Sequence, residues 1–153
     1  MRDEWVETTV GEIVTIKAGK YVPKSEYVED APYFIYGSNS IMGKYDKWLV
    51  ESPHVVMAAV GAYAGASRFS SEPSWVNNNA FALMPTERVH PFFLYLWLDK
   101  VLELPRILAG TGQPYVKRPS LLAQQVLLPP VPVQRRIVDL MTHLDAHIAN
   151  LQA

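Results

Sequence analysis

Gly110 to Leu151 reads GTGQPYVKRPSLLAQQVLLPPVPVQRRIVDLMTHLDAHIANL. Gly110-Thr111-Gly112-Gln113-Pro114 is a loop, with two permissive glycines and a proline that lacks a backbone donor. Pro119 to Leu122 suits one helical turn, and Gln125 to Leu128 a short strand. Pro129-Pro130-Val131-Pro132 reads as a stiff connector that cannot be helical throughout. From Val133 onward the pattern is helical. Ile137, Met141, Leu144, Ile148 and Leu151 are spaced 4, 3, 4, 3, a heptad seam that Leu140 widens. It spans about two heptads, fewer than a long coiled coil shows. Such a helix either pairs with another helix or packs on its own domain, and the pattern alone leaves both open.

Upstream of Gly110 the period changes. His90 to Leu104 carries Phe93, Leu94, Trp97, Leu98, Val101 and Leu102, a 3.6-residue repeat with Pro91 in its first turn and His90 placed to cap it. Before that the chain reads as strands and turns. Glu12 to Lys17 alternates until Gly19, and Tyr33 to Tyr36 runs into the turn Gly37 to Ser40. His54 to Val60 is continuously apolar, Tyr63 to Phe69 is its expected hairpin partner, and Ala80 to Met84 is entered through Trp75 to Asn79. The expected class is α+β: a mostly β domain with a few short helices over 1–130, then a coiled-coil-type helix over 131–153.

A chain of 153 residues with 49% hydrophobic and 19% charged residues can bury a core. Its net charge of −1 excludes a general basic coat for nucleic acid, so any such binding needs a local patch or a larger complex. There is no cysteine, hence no disulfide, thiolate metal site or cysteine nucleophile. That agrees with a cytoplasmic location. The charged start, Met1 to Trp5, is no secretion signal. The longest weakly polar run, Val55 to Ala66, is far short of the roughly 20 residues that span a bilayer.

Catalytic patterns are missing. Gly61 and Gly65 lack the lysine and hydroxyl of a phosphate loop, so hairpin geometry or close packing is their better reading. Lys117 does not follow a glycine as phosphate binding requires. His143 and His147 lie four apart with Asp139 one turn earlier, a spacing that could hold a metal. Without a third distant ligand, solvated helix-flank histidines are the better reading. His54 has no evident partner. No metal or cofactor is expected.

Polar loops are plentiful instead. Base edges are read by forked donors and acceptors held on loops, and phosphates by cations. Ser38-Asn39-Ser40, Asn77-Asn78-Asn79 and Gln113 with Tyr115, Lys117 and Arg118 supply the first kind. Lys17, Lys20, Lys24, Lys44, Lys47 and Arg68 supply the second. Taken singly, each is more simply a solvated loop residue, and asparagine suits turns for conformational reasons.

The order of these pieces resembles the target-recognition domain of a Type I restriction-modification DNA specificity subunit. Trp5, Val10 to Ile13, Lys17 to Lys20, the YGSNS of Tyr36 to Ser40, Gly43, Val55 to Gly65 and Trp75 to Phe81 fit in turn. The Gly110 to Leu151 stretch fits best. Where the family commonly carries glutamate before the glutamine of this helix start, Val133 precedes Gln134. A full subunit also carries two recognition domains and two long helices, so this chain resembles a half-subunit.

The resemblance implies a non-catalytic chain whose loops enter duplex DNA through Lys17, Lys20, Ser38, Asn39, Lys44, Arg68, Asn77, Asn78, Gln113, Tyr115, Lys117 and Arg118. It implies self-pairing into a homodimer through Ile137, Met141, Leu144, Ile148 and Leu151. It also implies a DNA adenine methyltransferase subunit as partner, with a motor-nuclease subunit able to join. The competing reading is a protein-interaction scaffold on the same fold that no longer binds DNA.

Overall fold

The computed structural model describes residues 4–152. Met1 to Asp3 of the charged start, and Ala153 at the end of the expected helix, lie outside the described residues. The architecture is α+β, as the pattern predicts.

A four-stranded antiparallel sheet forms the centre, in the order β2 (Val14–Ala18), β8 (Ala80–Pro85), β5 (His54–Ala58) and β6 (Ser67–Ser70). β5 and most of β8 are buried on both faces, which is why they read as unbroken apolar runs. One face presents Val56 and Ala82 to a second sheet of β4 (Ile41–Tyr45), β3 (Tyr33–Tyr36) and β7 (Trp75–Val76). The other face presents Val55, Met57, Phe81 and Leu83 to the main core. That core is closed by three short helical segments: α1 (Val10–Ile13), α2 (Pro91–Leu96) and α3 (Arg118–Leu122). Two small ladders complete it, β1 (Val6–Thr9) with β11 (Gln125–Leu128), and β9 (Leu108–Ala109) with β10 (Tyr115–Val116).

Several expectations shift. Glu12 and Ile13 belong to α1, not to a strand, which begins at Val14. Val10 and Ile13 lie three apart and both are buried, one helical turn too short for a window to detect. The partner of β5 is shorter than Tyr63 to Phe69. Gly61 and Gly65 take φ of +94° and +90° in a turn, and a side chain at Gly65 would run into Leu104. The helix after Pro91 is capped as expected, His90 Nδ1 accepting the Phe92 N–H at 3.1 Å. It widens into a π turn over Trp97–Val101 and stops at Leu102, before Leu104.

The proline connector is also shorter than expected. The last helix, α4 (Val131–Gln152), starts two residues before Val133. Pro132 sits in its first turn, where no backbone donor is lost, and the N–H groups of Val133 and Gln134 bond to the Pro130 carbonyl at 2.9 and 3.0 Å. The helix divides between the two faces of its environment, one half on the domain and one half uncovered. Its first half packs on the domain: Gln134 and Val138 are buried, Ile137 and Met141 half-buried against the core. Its second half is free, with Leu140, Leu144, Ile148 and Leu151 all exposed. Among the described residues no helix is long and apolar enough to cross a membrane.

Candidate nucleic-acid interface

The polar loops meet at one end of the central sheet. β2 finishes there and β8 starts there, since the two are antiparallel with Ala18 opposite Phe81. β5 also finishes there and β6 starts there. The β5–β6 connection is the hub. Its Ala59 N–H bonds to the Asn79 carbonyl at 2.9 Å, and its Ala59 carbonyl accepts the Val116 N–H at 2.8 Å. The Gly61 N–H bonds to the Pro114 carbonyl at 2.8 Å. The Asn77 N–H bonds to the Tyr36 carbonyl at 2.9 Å, which brings in the turn between β3 and β4. The Lys20 N–H bonds to the Val76 carbonyl at 2.9 Å, which brings in the end of β2. Five segments distant in sequence thus share one pole. The other end of β8 lies beside Val131 and Arg135, where α4 begins.

Around Arg68 the arrangement is closest. Lys17, Ala82, Val56 and Arg68 form one row of directly paired residues, so Lys17 and Arg68 leave the same face at its two edges. The Arg68 guanidinium donates to the Asn39 carbonyl across the gap between the sheets. Arg68, Ser38, Asn39, Tyr36, Tyr63 and Tyr95 line a groove of about 590 Å³. The Ser67 hydroxyl lies in its wall, a buried polar atom with no hydrogen-bond partner among the described residues. Burial, and after it the Asp99 carboxylate, raises the Tyr95 hydroxyl above the usual tyrosine range, so it stays a neutral donor here. Lys44 lies further along β4, its ammonium 5.8 Å from the Phe34 ring centre.

The other sites divide into free and committed side chains. Asn77 is buried, its Oδ1 accepting the Asn78 N–H at 2.9 Å and its Nδ2 lying 3.3 Å from Met42 Sδ, so its amide serves the turn. Asn78 is exposed. Lys20 is exposed, while its carbonyl accepts the Trp75 indole N–H at 2.9 Å. In the Gly110 to Arg118 loop, Gly110 has φ of +99° and a side chain there would overlap the Gln113 carbonyl. Gln113, Tyr115 and Lys117 face outward. Arg118 is exposed, with its guanidinium carbon 4.9 Å from the Phe81 ring centre, a cation–π contact.

Tyr63, Ser67, Tyr95 and Gln134 had no signal in the sequence that set them apart for these roles. Gln134 Oε1 accepts the His90 N–H at 2.7 Å, while Nε2 donates to the carbonyls of Pro129 and Arg88 at 2.8 and 3.0 Å. His54, which looked partnerless, is fully buried. Its Nδ1–H donates to the Glu51 carbonyl at 2.9 Å and its Nε2 accepts the Ser74 hydroxyl at 2.7 Å. Burial pushes its pKa down, so the ring is neutral and structural. Among the described residues no three potential metal ligands converge.

Comparison with known proteins places this geometry. The family model described as "Type I restriction modification DNA specificity domain" matches residues 2–153. The MjaVIII Type I restriction enzyme specificity subunit of Methanocaldococcus jannaschii is 23% identical across 94% of this chain and 40% of its own length. The S subunit of a Type I restriction-modification system from M. genitalium superposes with a TM-score of 0.77 at 16% identity, over 96% of this chain and 40% of that one. The HsdS subunit from Thermoanaerobacter tengcongensis gives 0.74 at 18% identity, over 99% and 40%. The chain therefore spans about 40% of the length of these relatives. By the match along nearly its whole length, it belongs to the Type I restriction-modification DNA specificity family, a non-catalytic one.

Proposed function

We propose that the chain is the sequence-reading module of a Type I restriction-modification system, and that it engages duplex DNA with the loop pole. The convergence of four polar segments around the β5–β6 connection carries this reading. Ser38, Asn39, Asn78 and Gln113 offer forked or small polar groups suited to base edges. Lys17, Lys20, Lys44, Lys117 and the free donors of Arg68 suit phosphates. Tyr115 offers a ring and a hydroxyl. Asn77 and Arg118 act from behind, one by shaping a turn and the other by anchoring the loop through Phe81.

With a net charge of −1, the chain gains much of its phosphate contact from partners. A DNA adenine methyltransferase subunit is the first of these, and a motor-nuclease subunit joins for cleavage. Residues 1–130 form the recognition domain and 131–153 the spacer helix. The free half of α4 pairs with that of a second copy, so a two-fold dimer reads inverted half-sites. The setting is cytoplasmic.

Fluorescence anisotropy with labelled duplex at low salt tests the reading. Binding is expected to weaken steeply with added salt, and Arg68→Ala to weaken it about tenfold. No binding by the wild type even at low salt would support the protein-interaction scaffold instead, and binding unchanged by joint alanine replacement of Arg68, Gln113 and Lys117 would place the DNA surface away from the loop pole.

A further inference from the structure

β6 is the outer strand of the central sheet, so one of its edges is unpaired among the described residues. The Gly65 N–H bonds to the Ala58 carbonyl at 2.9 Å, and the Ala58 N–H to the Ala66 carbonyl at 3.0 Å. This is a bulge that the positive φ of Gly65 permits. Antiparallel partners alternate between bonded and unbonded pairs. Val56 with Arg68 is therefore the next bonded pair, and the backbone N–H groups of Ser67 and Phe69 point away from β5, along the free edge.

That edge borders the groove lined by Arg68, Ser67, Phe69 and Tyr63. Among the described residues that line it, Arg68 is the one cation and there is no carboxylate. The depressions beside Arg135 and Arg106 differ, since Glu51 and Glu87 share the first and Glu103 the second. Asp99 acts on the Tyr95 hydroxyl from outside the groove and is itself paired with Lys100 at 3.6 Å. In a chain of net charge −1, an arginine with no acid beside it marks a place for an anion. Arg68 spends one donor on the Asn39 carbonyl and keeps the rest of its fork.

Two further donors stand beside it. The Ser67 hydroxyl has no partner among the described residues, and native structures leave few buried groups in that state without a reason. Tyr63 is exposed on the β5–β6 connection, and its backbone is held, its carbonyl accepting the Ala66 N–H at 2.9 Å between the positive-φ glycines 61 and 65. Backbone N–H groups, a guanidinium and hydroxyls are the donors that DNA phosphates accept from.

We propose that the free edge of β6 is the seat of one backbone phosphate of bound DNA, held by the Ser67 N–H and hydroxyl and the Arg68 fork, with the Tyr63 hydroxyl as a further donor beside them. The proposal rests on the reading that the loop pole engages duplex DNA. It adds a contact that fixes the register of the duplex without reading a base.

The test uses the 153-residue chain and labelled duplexes in which one phosphate at a time is replaced by a neutral methylphosphonate. Anisotropy at low salt should find a position where the replacement weakens wild-type binding about tenfold. Arg68→Gln should abolish the sensitivity at that position and lower the salt slope by about one. Tyr63→Phe should weaken binding about threefold or more, by the same factor on every duplex sequence. Ser67→Ala gives a readout that a merely structural role would not. It removes an unsatisfied hydroxyl, so the thermal midpoint should hold or rise while DNA binding weakens. A Ser67→Ala chain that binds as tightly as wild type, with a phosphate sensitivity that survives Arg68→Gln, would overturn the seat. If Gln113→Ala and Lys117→Ala still weakened binding, the loop pole would stand without it. Losses confined to one duplex sequence would also overturn it, since they mark base reading. A wild-type chain that binds no duplex would sink both readings.

Discussion

Gln134 is fully buried on the first turn of α4, where a polar side chain is costly unless satisfied. Its three hydrogen bonds tie the start of α4 to the turn before α2 and to Pro129, the first residue of the Pro-Pro segment. Gln134→Ala strands the His90 N–H and two carbonyls and should cost about 3 kcal/mol in denaturant unfolding. A loss below about 0.5 kcal/mol would show that water replaces the amide. His54 makes a pH prediction. Its folded pKa lies below the unfolded value of 6.5, so the unfolded chain binds the proton more readily. The contribution is fully present above that value and is lost as pH falls below it towards the folded pKa. Urea midpoints should therefore decline from neutral pH towards pH 5, and His54→Gln should remove this share of the slope. At this scale the sequence was partly legible. Capping by His90 followed from its place before Pro91, whereas the roles of His54 and Gln134 depend on partners 20 and 44 residues away.

Elements with a long period were readable, and those made by distant partners were not. The seam of α4 stood out because apolar residues must recur to cover a face. Nothing in the seam told which half would lie on the domain, because the covering surface comes from α2 and the core. β7 is two residues long and pairs in parallel with β3, a contact with no local signature. The π turn after Leu96 likewise preserved the helical pattern of the sequence. The division of α4 predicts a clean separation of effects. Leu144→Asp with Ile148→Asp alters exposed positions only, so the urea midpoint should hold. Dimer affinity in analytical ultracentrifugation should fall at least about tenfold, since each such side chain buried is worth about 1.5–3 kcal/mol. Val138→Asp should do the reverse and unfold the domain. Both variants behaving alike would mean that α4 is a single packed unit.

At the scale of the whole molecule, the polar residues were legible one by one, but their meeting place was not. Asn78, Gln113, Ser38 and Lys20 are dispersed in sequence, and only the pairing of β2 with β8 and β5 with β6 brings their loops to one pole. Asn77 is buried inside its turn, and Arg118 lies over the Phe81 ring. The loop that opens Gly110 to Leu151 is thereby explained: Gly110 turns the chain, Pro114 and Val116 fasten it to the β5–β6 connection, and Gln113, Tyr115 and Lys117 remain outward. The central claim is that this pole reads sequence. Selection from a randomised duplex library, with the chain bound to an adenine methyltransferase subunit and methylation mapped on the survivors, tests it most directly. An enriched motif, lost or altered when Arg68 and Gln113 are replaced by alanine, is the predicted result. No enrichment, or a motif unchanged by those replacements, would contradict it.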